Sequence, residues 1–217
     1  KRAYRFLSTS VNCNAIIGLN WQNGTHITGA GGASNGFDVT ETNNPSMFTF
    51  DHTAQNWLAV PNTNTLATKL AAGTGYRLMV RGDRTISLDT NTPTPTNTVL
   101  TSHGVIFQGD FTPTLNQNAG GYSFIGNPYQ AIVDMEAVLS SATNVENQYY
   151  YIWDPTINTR GAYVAVGVQN GINNNPSSVA TKYVQPGQAF FVKNNSSMSA
   201  APALTMTENH KATVASN

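Results

Sequence analysis

The 217-residue chain balances 11 Lys and Arg against 11 Asp and Glu, and charged residues make up only 10% of it, against roughly 25% in an ordinary globular domain. Without a basic run it offers no electrostatic footprint for nucleic acid or anionic lipid, and no stretch approaches the roughly 20 apolar residues of a membrane-spanning helix. A hydrophobic fraction of 40%, with 9 Tyr and 9 Phe, excludes disorder, and the single cysteine, Cys13, excludes an internal disulfide framework and reads as a small buried side chain.

Taken in order, residues 3–9 alternate as a strand, and residues 10–46 form a connection long enough to contain short strands of its own. Phe48 to Asp51 and Trp57 to Val60 read as a β-hairpin. Leu70 to Gly75 turns into a strand over Tyr76 to Val80, and Ile86 to Leu88 is expected to extend the sheet. Thr92-Pro93-Thr94-Pro95-Thr96 cannot pair centrally because its prolines lack donors, after which Val99-Leu100 and Val105 to Phe107 resume strand character.

The second half follows the same order. Tyr122 to Ile125 alternates and runs into the turn Gly126-Asn127-Pro128, as Tyr4-x-Phe6 opens the first half. A short helix is predicted near 134–140, capped by Asp134, with Met135, Val138 and Leu139 on one face. Tyr149 to Trp153 and Gly161 to Val166 form a second hairpin, in which Tyr151, Trp153 and Asp154 correspond to Phe48, Phe50 and Asp51. Val184 to Val192 aligns with Leu70 to Leu78, setting Gly187 over Gly73 and Phe190 over Tyr76. A last strand is expected over Ala203 to Met206. Tyr4 and Tyr76 lie 72 positions apart, Tyr122 and Phe190 68. The predicted fold is all-β: two related β-sandwich or jelly-roll-like halves from an internal duplication. Their bounds are 1–112 and 121–207, with a connection at 113–120 and a polar tail or linker at 208–217. The opening Lys1-Arg2, without Met, and the polar end read as an internal portion of a longer polypeptide.

Several stretches carry a resemblance: Phe124-Ile125-Gly126-Asn127-Pro128-Tyr129, Tyr150 to Pro155, Arg160-Gly161-Ala162-Tyr163 and Pro186 to Val192 in the second half, with Gly24 to Gly29, Asn43 to Ser46 and Gly75 to Arg84 in the first. In this order they resemble a β-rich module of large secreted Bacteroidota proteins, typically found upstream of the C-terminal sorting domain of the type IX secretion system. The resemblance implies export through the type IX machinery by way of a sorting domain not present here, and a place on the cell surface or outside the cell. It brings no catalytic motif.

The residues themselves point the same way. Gly32-Ala33-Ser34-Asn35-Gly36 has the spacing of a hydrolase nucleophile elbow without its strand-turn-helix context. His26, His52, His103 and His210 are scattered rather than spaced as metal ligands. Asp38, Asp51, Asp110 and Asp154 could supply a carboxylate pair only through space, and Asp51 and Asp154 read more simply as hairpin-closing residues, Arg160 pairing with Asp154. No catalytic residue, metal ligand or cofactor is expected. Arg81-Gly82-Asp83 spells an adhesion tripeptide, and Trp21, Tyr129 and Tyr163 are candidate sugar-stacking rings. Asn23-Gly24-Thr25 and Asn195-Ser196-Ser197 match glycosylation sequons and read as turns. The expected function is a non-catalytic structural or adhesion module, with a carbohydrate-binding module as the alternative. Extracellular polysaccharide or another surface protein is the expected partner.

Overall fold

The structure is a computed structural model and describes residues 2–90 and 94–214. The first unit contains β1 (Ala3–Leu7), β2 (Val11–Cys13), the one-turn helix α1 (Trp21–Gly24), β3 (Met47–Asp51), β4 (Asn56–Ala59), β5 (Tyr76–Val80) and β6 (Gly104–Ile106). The second contains β7 (Tyr122–Gly126), β8 (Val133–Asp134), α2 (Met135–Ser140), β9 (Tyr149–Asp154), β10 (Ala162–Gly167), β11 (Tyr183–Val184) and β12 (Ala189–Lys193). The fold is all-β. Two antiparallel four-stranded sheets, β1-β5-β3-β4 and β7-β12-β9-β10, are accompanied by the small pairs β2-β6 and β8-β11.

The two large sheets have the same strand order, and the correspondence read from sequence holds in register. Phe6 lies opposite Arg77 where Phe124 lies opposite Phe191. Phe48 lies opposite the same Arg77, and Tyr151 opposite the same Phe191. The units also exchange equivalent bonds. Ser8 N–H donates to Gly187 O at 2.8 Å, and Gly126 N–H donates to Gly73 O at 2.8 Å. Bridges join Leu7 to Gln188 and Ile125 to Thr74. Gly73 (φ +72°) and Gly187 (φ +77°) occupy the left-handed region that favours glycine. Each unit thus ends its first strand against the turn that leads into β5 or β12 of the other unit, as in an isologous dimer interface built within one chain.

Each sheet is apolar on both faces. In the first, Tyr76 and Leu78 face a core with Met47, Ile17, Ile27 and Trp21. In the second, Ile125, Tyr150, Ile152, Val164, Phe190 and Val192 cover α2 through Met135, Val138 and Leu139. The opposite faces meet in an aromatic layer containing Phe6, Phe124 and Phe191, flanked by Phe50, Trp57, Tyr122, Tyr151 and Trp153. The result is a sandwich to which each unit contributes one sheet.

Local chemistry fixes the ends of these elements. Asp134 caps α2 by accepting from Glu136 N–H at 2.9 Å. Asp51 accepts from Thr53 and Ala54 N–H, closing the β3-β4 hairpin. Asp154 does the same with Thr156 and also takes Ser178 Oγ at 2.6 Å. The β3-β4 tip reaches the outer edge of β7. There Gln55 accepts from Tyr122 N–H at 2.9 Å and donates to Tyr122 O at 2.8 Å. His52 Nε2 lies 3.1 Å from Phe124 N and 3.2 Å from Phe124 O, and Nδ1 lies 3.0 Å from Thr114 O. One hairpin thereby covers the other unit's open edge.

Some expected strands are not formed. Ile86 to Leu88 and Val99-Leu100 lie in turns and coil, and Ala203 to Met206 makes only isolated bridges at its two ends. These runs are too short to set a ladder without a neighbouring edge to join. The expectation for Thr92-Pro93 lies outside the described residues. Phe107 and Phe111, at the end of the first unit, pack against the second unit's core. Residues 208–210 form a 3-10 turn, and Lys211 bridges Val133, so the second unit extends beyond 207.

Asn127, fully buried, explains the Gly-Asn-Pro-Tyr turn. Its Nδ2 donates to Ala131 O, Val184 O and Gln185 O, and its Oδ1 accepts from Tyr129 N–H. An Asn127→Asp change puts a carboxylate against three carbonyl oxygens. It should lower stability by roughly 2–4 kcal/mol at neutral pH in a denaturant titration.

Candidate functional site

The aromatic stripes follow from strand alternation: Tyr122 and Phe124 on β7, and Tyr151 and Trp153 on β9, share one face of the second sheet. Facing rings of the first sheet meet them mostly edge-on. Phe50 and Phe191 have centroids 5.0 Å apart at 88°, and Trp57 and Phe124 5.1 Å apart at 78°. At one margin the layer opens into a cleft of about 530 Å³ lined by Phe50, Gln55, Trp57, Tyr122, Tyr151, Tyr163 and Phe191. No lining side chain carries a charge at neutral pH.

Within this cleft, Tyr122 and Tyr151 stand 5.6 Å apart at 71°. Tyr151 Oη donates to Glu146 Oε2 at 2.9 Å, and burial together with the Glu146 carboxylate raises the phenol's pKa. Burial also raises Tyr163, opposed by the nearby Arg77 cation and by its hydrogen bond with Trp57. These phenols stay neutral at physiological pH and present hydroxyls beside ring surface, the combination that sugar hydroxyls and C–H faces require.

Of the three predicted stacking rings, only Tyr163 is open, 52% exposed. Trp21 is buried under the first sheet, where its Nε1 donates to Ser102 Oγ. Tyr129 is wholly buried and donates to Gly109 O and Met206 O. Neither offers a ring face to a ligand, so those two assignments are corrected. Of the rings that do line the cleft, Phe50 and Tyr151 carry a sequence signal in the paired Phe48-x-Phe50 and Tyr151-x-Trp153 pattern.

The other candidates serve the fold. Gly82 is buried and its carbonyl accepts from Thr25 Oγ1, while the Asp83 carboxylate takes Thr85 N–H and Oγ1, so Arg81-Gly82-Asp83 does not form a projecting tip. Gly32 to Asn35 is a 3-10 turn entered and left through glycines in the left-handed region. Burial pushes the Cys13 thiol up. Among the described residues no group of three or more His, Cys, Asp and Glu is placed to hold a metal ion, and no helix is long and apolar enough to cross a membrane.

Asp38 is the most elaborately held carboxylate. It accepts from Ile27 N–H at 2.9 Å, Gln22 Nε2 at 3.2 Å and Arg84 at 3.0 and 2.7 Å. His26 Nδ1 lies 3.4 Å away, without hydrogen-bond geometry. Burial opposes ionisation, but the Arg84 and Ile27 hydrogen bonds outweigh it and hold the carboxyl below its ordinary value. A depressed folded value means the stabilisation is present above about pH 4 and is lost as pH falls through that folded value. Asp38→Asn should lower stability by about 1–3 kcal/mol at pH 7. The gap to wild type should narrow toward about pH 3, as read by denaturant titration across pH.

No protein-family model, curated protein or solved structure matches the chain.

Proposed function

We propose that the chain is a non-catalytic structural and adhesion module of a secreted, surface-displayed protein, and that it holds a neutral glycan in the aromatic cleft. The observation that carries this reading is the cleft itself. Six aromatic side chains and one amide, Gln55, line about 530 Å³ without a charged group, a composition suited to stacking and neutral hydrogen bonding.

The extracellular setting rests on the resemblance to modules that precede type IX sorting domains. On this reading the parent polypeptide is exported by the type IX machinery through its own sorting domain, and the equivalent sheets descend from an internal duplication. The low charge of the chain suits a module that meets uncharged polysaccharide or a glycan-bearing surface protein. A non-catalytic role is consistent with the local bonding of Asp38, Asp51 and Asp154 described above.

Mixing the protein with a panel of insoluble neutral polysaccharides tests this reading. At least one should deplete it from solution, and Trp57→Ala or Tyr151→Ala should weaken retention by roughly 5–30-fold, as expected for an aromatic contact. Failure of every neutral polysaccharide to retain the protein would contradict glycan binding and leave the cleft as a packing surface within the parent protein.

A further inference from the structure

We infer that the chain has a second binding cleft, occupying the equivalent position in the other unit, that takes the carboxylate or sulfate group of an acidic sugar. This cleft, of about 470 Å³, is lined by Tyr4, Arg77, Trp153, Arg160 and Tyr163 among others, with no acidic side chain in its lining. The strand correspondence relates it to the neutral cleft. Tyr4 stands for Tyr122, Trp153 for Phe50 and Tyr163 for Trp57, while Arg160 comes from the tip of the β9-β10 hairpin, one residue before Gly161, which holds the register position of Gln55. The decisive exchange is at the floor, where Arg77 takes the place of Phe191, each lying opposite the equivalent residues of its neighbouring strands.

The Arg77 guanidinium carbon lies 4.3 Å from the Tyr4 ring centroid, 4.6 Å from Phe48 and 4.7 Å from Trp57. Ring faces hold the cation in place without neutralising it. Among the described residues no carboxylate forms an ion pair with Arg77. Arg77 Nε and Trp153 Nε1 are buried without hydrogen-bond acceptors, so the side chains of this cleft carry an excess of donors. A planar guanidinium in a concave aromatic setting matches the geometry of a carboxylate or sulfate and concentrates anions near it. Arg160, exposed at the rim, adds a second positive group. Arg2 also borders a neighbouring polar cleft with Glu41 and Asp89, which leaves Arg77 and Arg160 as the pair that defines the site. Two equivalent clefts of opposite character would let one module grip a polysaccharide at a neutral and an acidic unit.

This inference is independent of neutral-glycan binding and is tested separately. Affinity electrophoresis of the whole chain in gels containing dextran, dextran sulfate or polygalacturonate compares the neutral, sulfate and carboxylate chemistries. At least one acidic polymer should retard the wild type more than dextran does, and retardation should fall as salt rises from about 50 to about 200 mM. Arg160→Gln, at an exposed hairpin position, and Arg77→Met, which keeps the stem between the rings, should each weaken that retardation by about 5–20-fold. Tyr151→Ala, in the neutral cleft, should leave it in place. Retardation by one acidic polymer alone assigns the site to that anion, and retardation by both assigns it to the shared chemistry. No retardation by either, or retardation unchanged in Arg160→Gln and in folded Arg77→Met, overturns the proposal and leaves the neutral-cleft reading standing.

Discussion

The contact between Phe6 and Phe124 is the one on which the rest of this fold depends. The two rings occupy equivalent positions in the two sheets, with centroids 4.8 Å apart at 65°. Phe6 also meets Trp57, Trp153, Tyr163 and Phe191. Each such pair contributes about 0.5–1.5 kcal/mol beyond the burial of its area. Beside this contact the packing leaves no room for even a Cβ at Gly126 and Gly75. A Cβ on Gly126 would lie 2.1 Å from Ser8 Oγ, and one on Gly75 would lie within 2.7 Å of the Phe124 ring. Close approach and reciprocal backbone bonds hold the two sheets in one relation, so neither unit buries its second face without the other.

That constraint also explains where the clefts come from. Edge-to-face rings pack well in the centre of the layer, where both sheets surround them, but at its margins they leave ring surface that no opposing residue covers. The same packing yields a margin in each unit, and the residue at the position shared by Phe191 and Arg77 sets its character. With phenylalanine there, the cleft is neutral and aromatic. Arginine makes the other cationic. Function on this account is a property of the layer's edges, while its centre carries stability.

Much of the frame was legible in the chain because strand pairing rests on alternation and turns. The Tyr-x-Phe openings, the two hairpins and the glycines at 73 and 187 mark the corresponding strands and their register, and Asp134 marks the start of α2. Short apolar runs such as Ile86 to Leu88 carry no such information, because without a free edge to join they have no reason to extend. The stacking rings were harder to choose. Both faces of these strands are buried, so alternation separates two sets of aromatics without showing which set reaches solvent. Trp21 and Tyr129 look like ligand rings by residue type, yet one lies beneath a sheet and the other spends its hydroxyl on two backbone carbonyls. The importance of Arg77 rests on a strand correspondence that places it opposite Phe6 and Phe48, and on three rings brought together from different strands.

The most direct test of the central claim is equilibrium unfolding of the whole chain, followed at once by tryptophan fluorescence, which reports Trp57 and Trp153 in the shared layer and Trp21 beneath the first sheet, and by far-ultraviolet circular dichroism, which reports both sheets. Interlocked units predict one cooperative transition with coincident midpoints for the two probes. Two separated transitions, with one sheet persisting after the aromatic layer has opened, would contradict it.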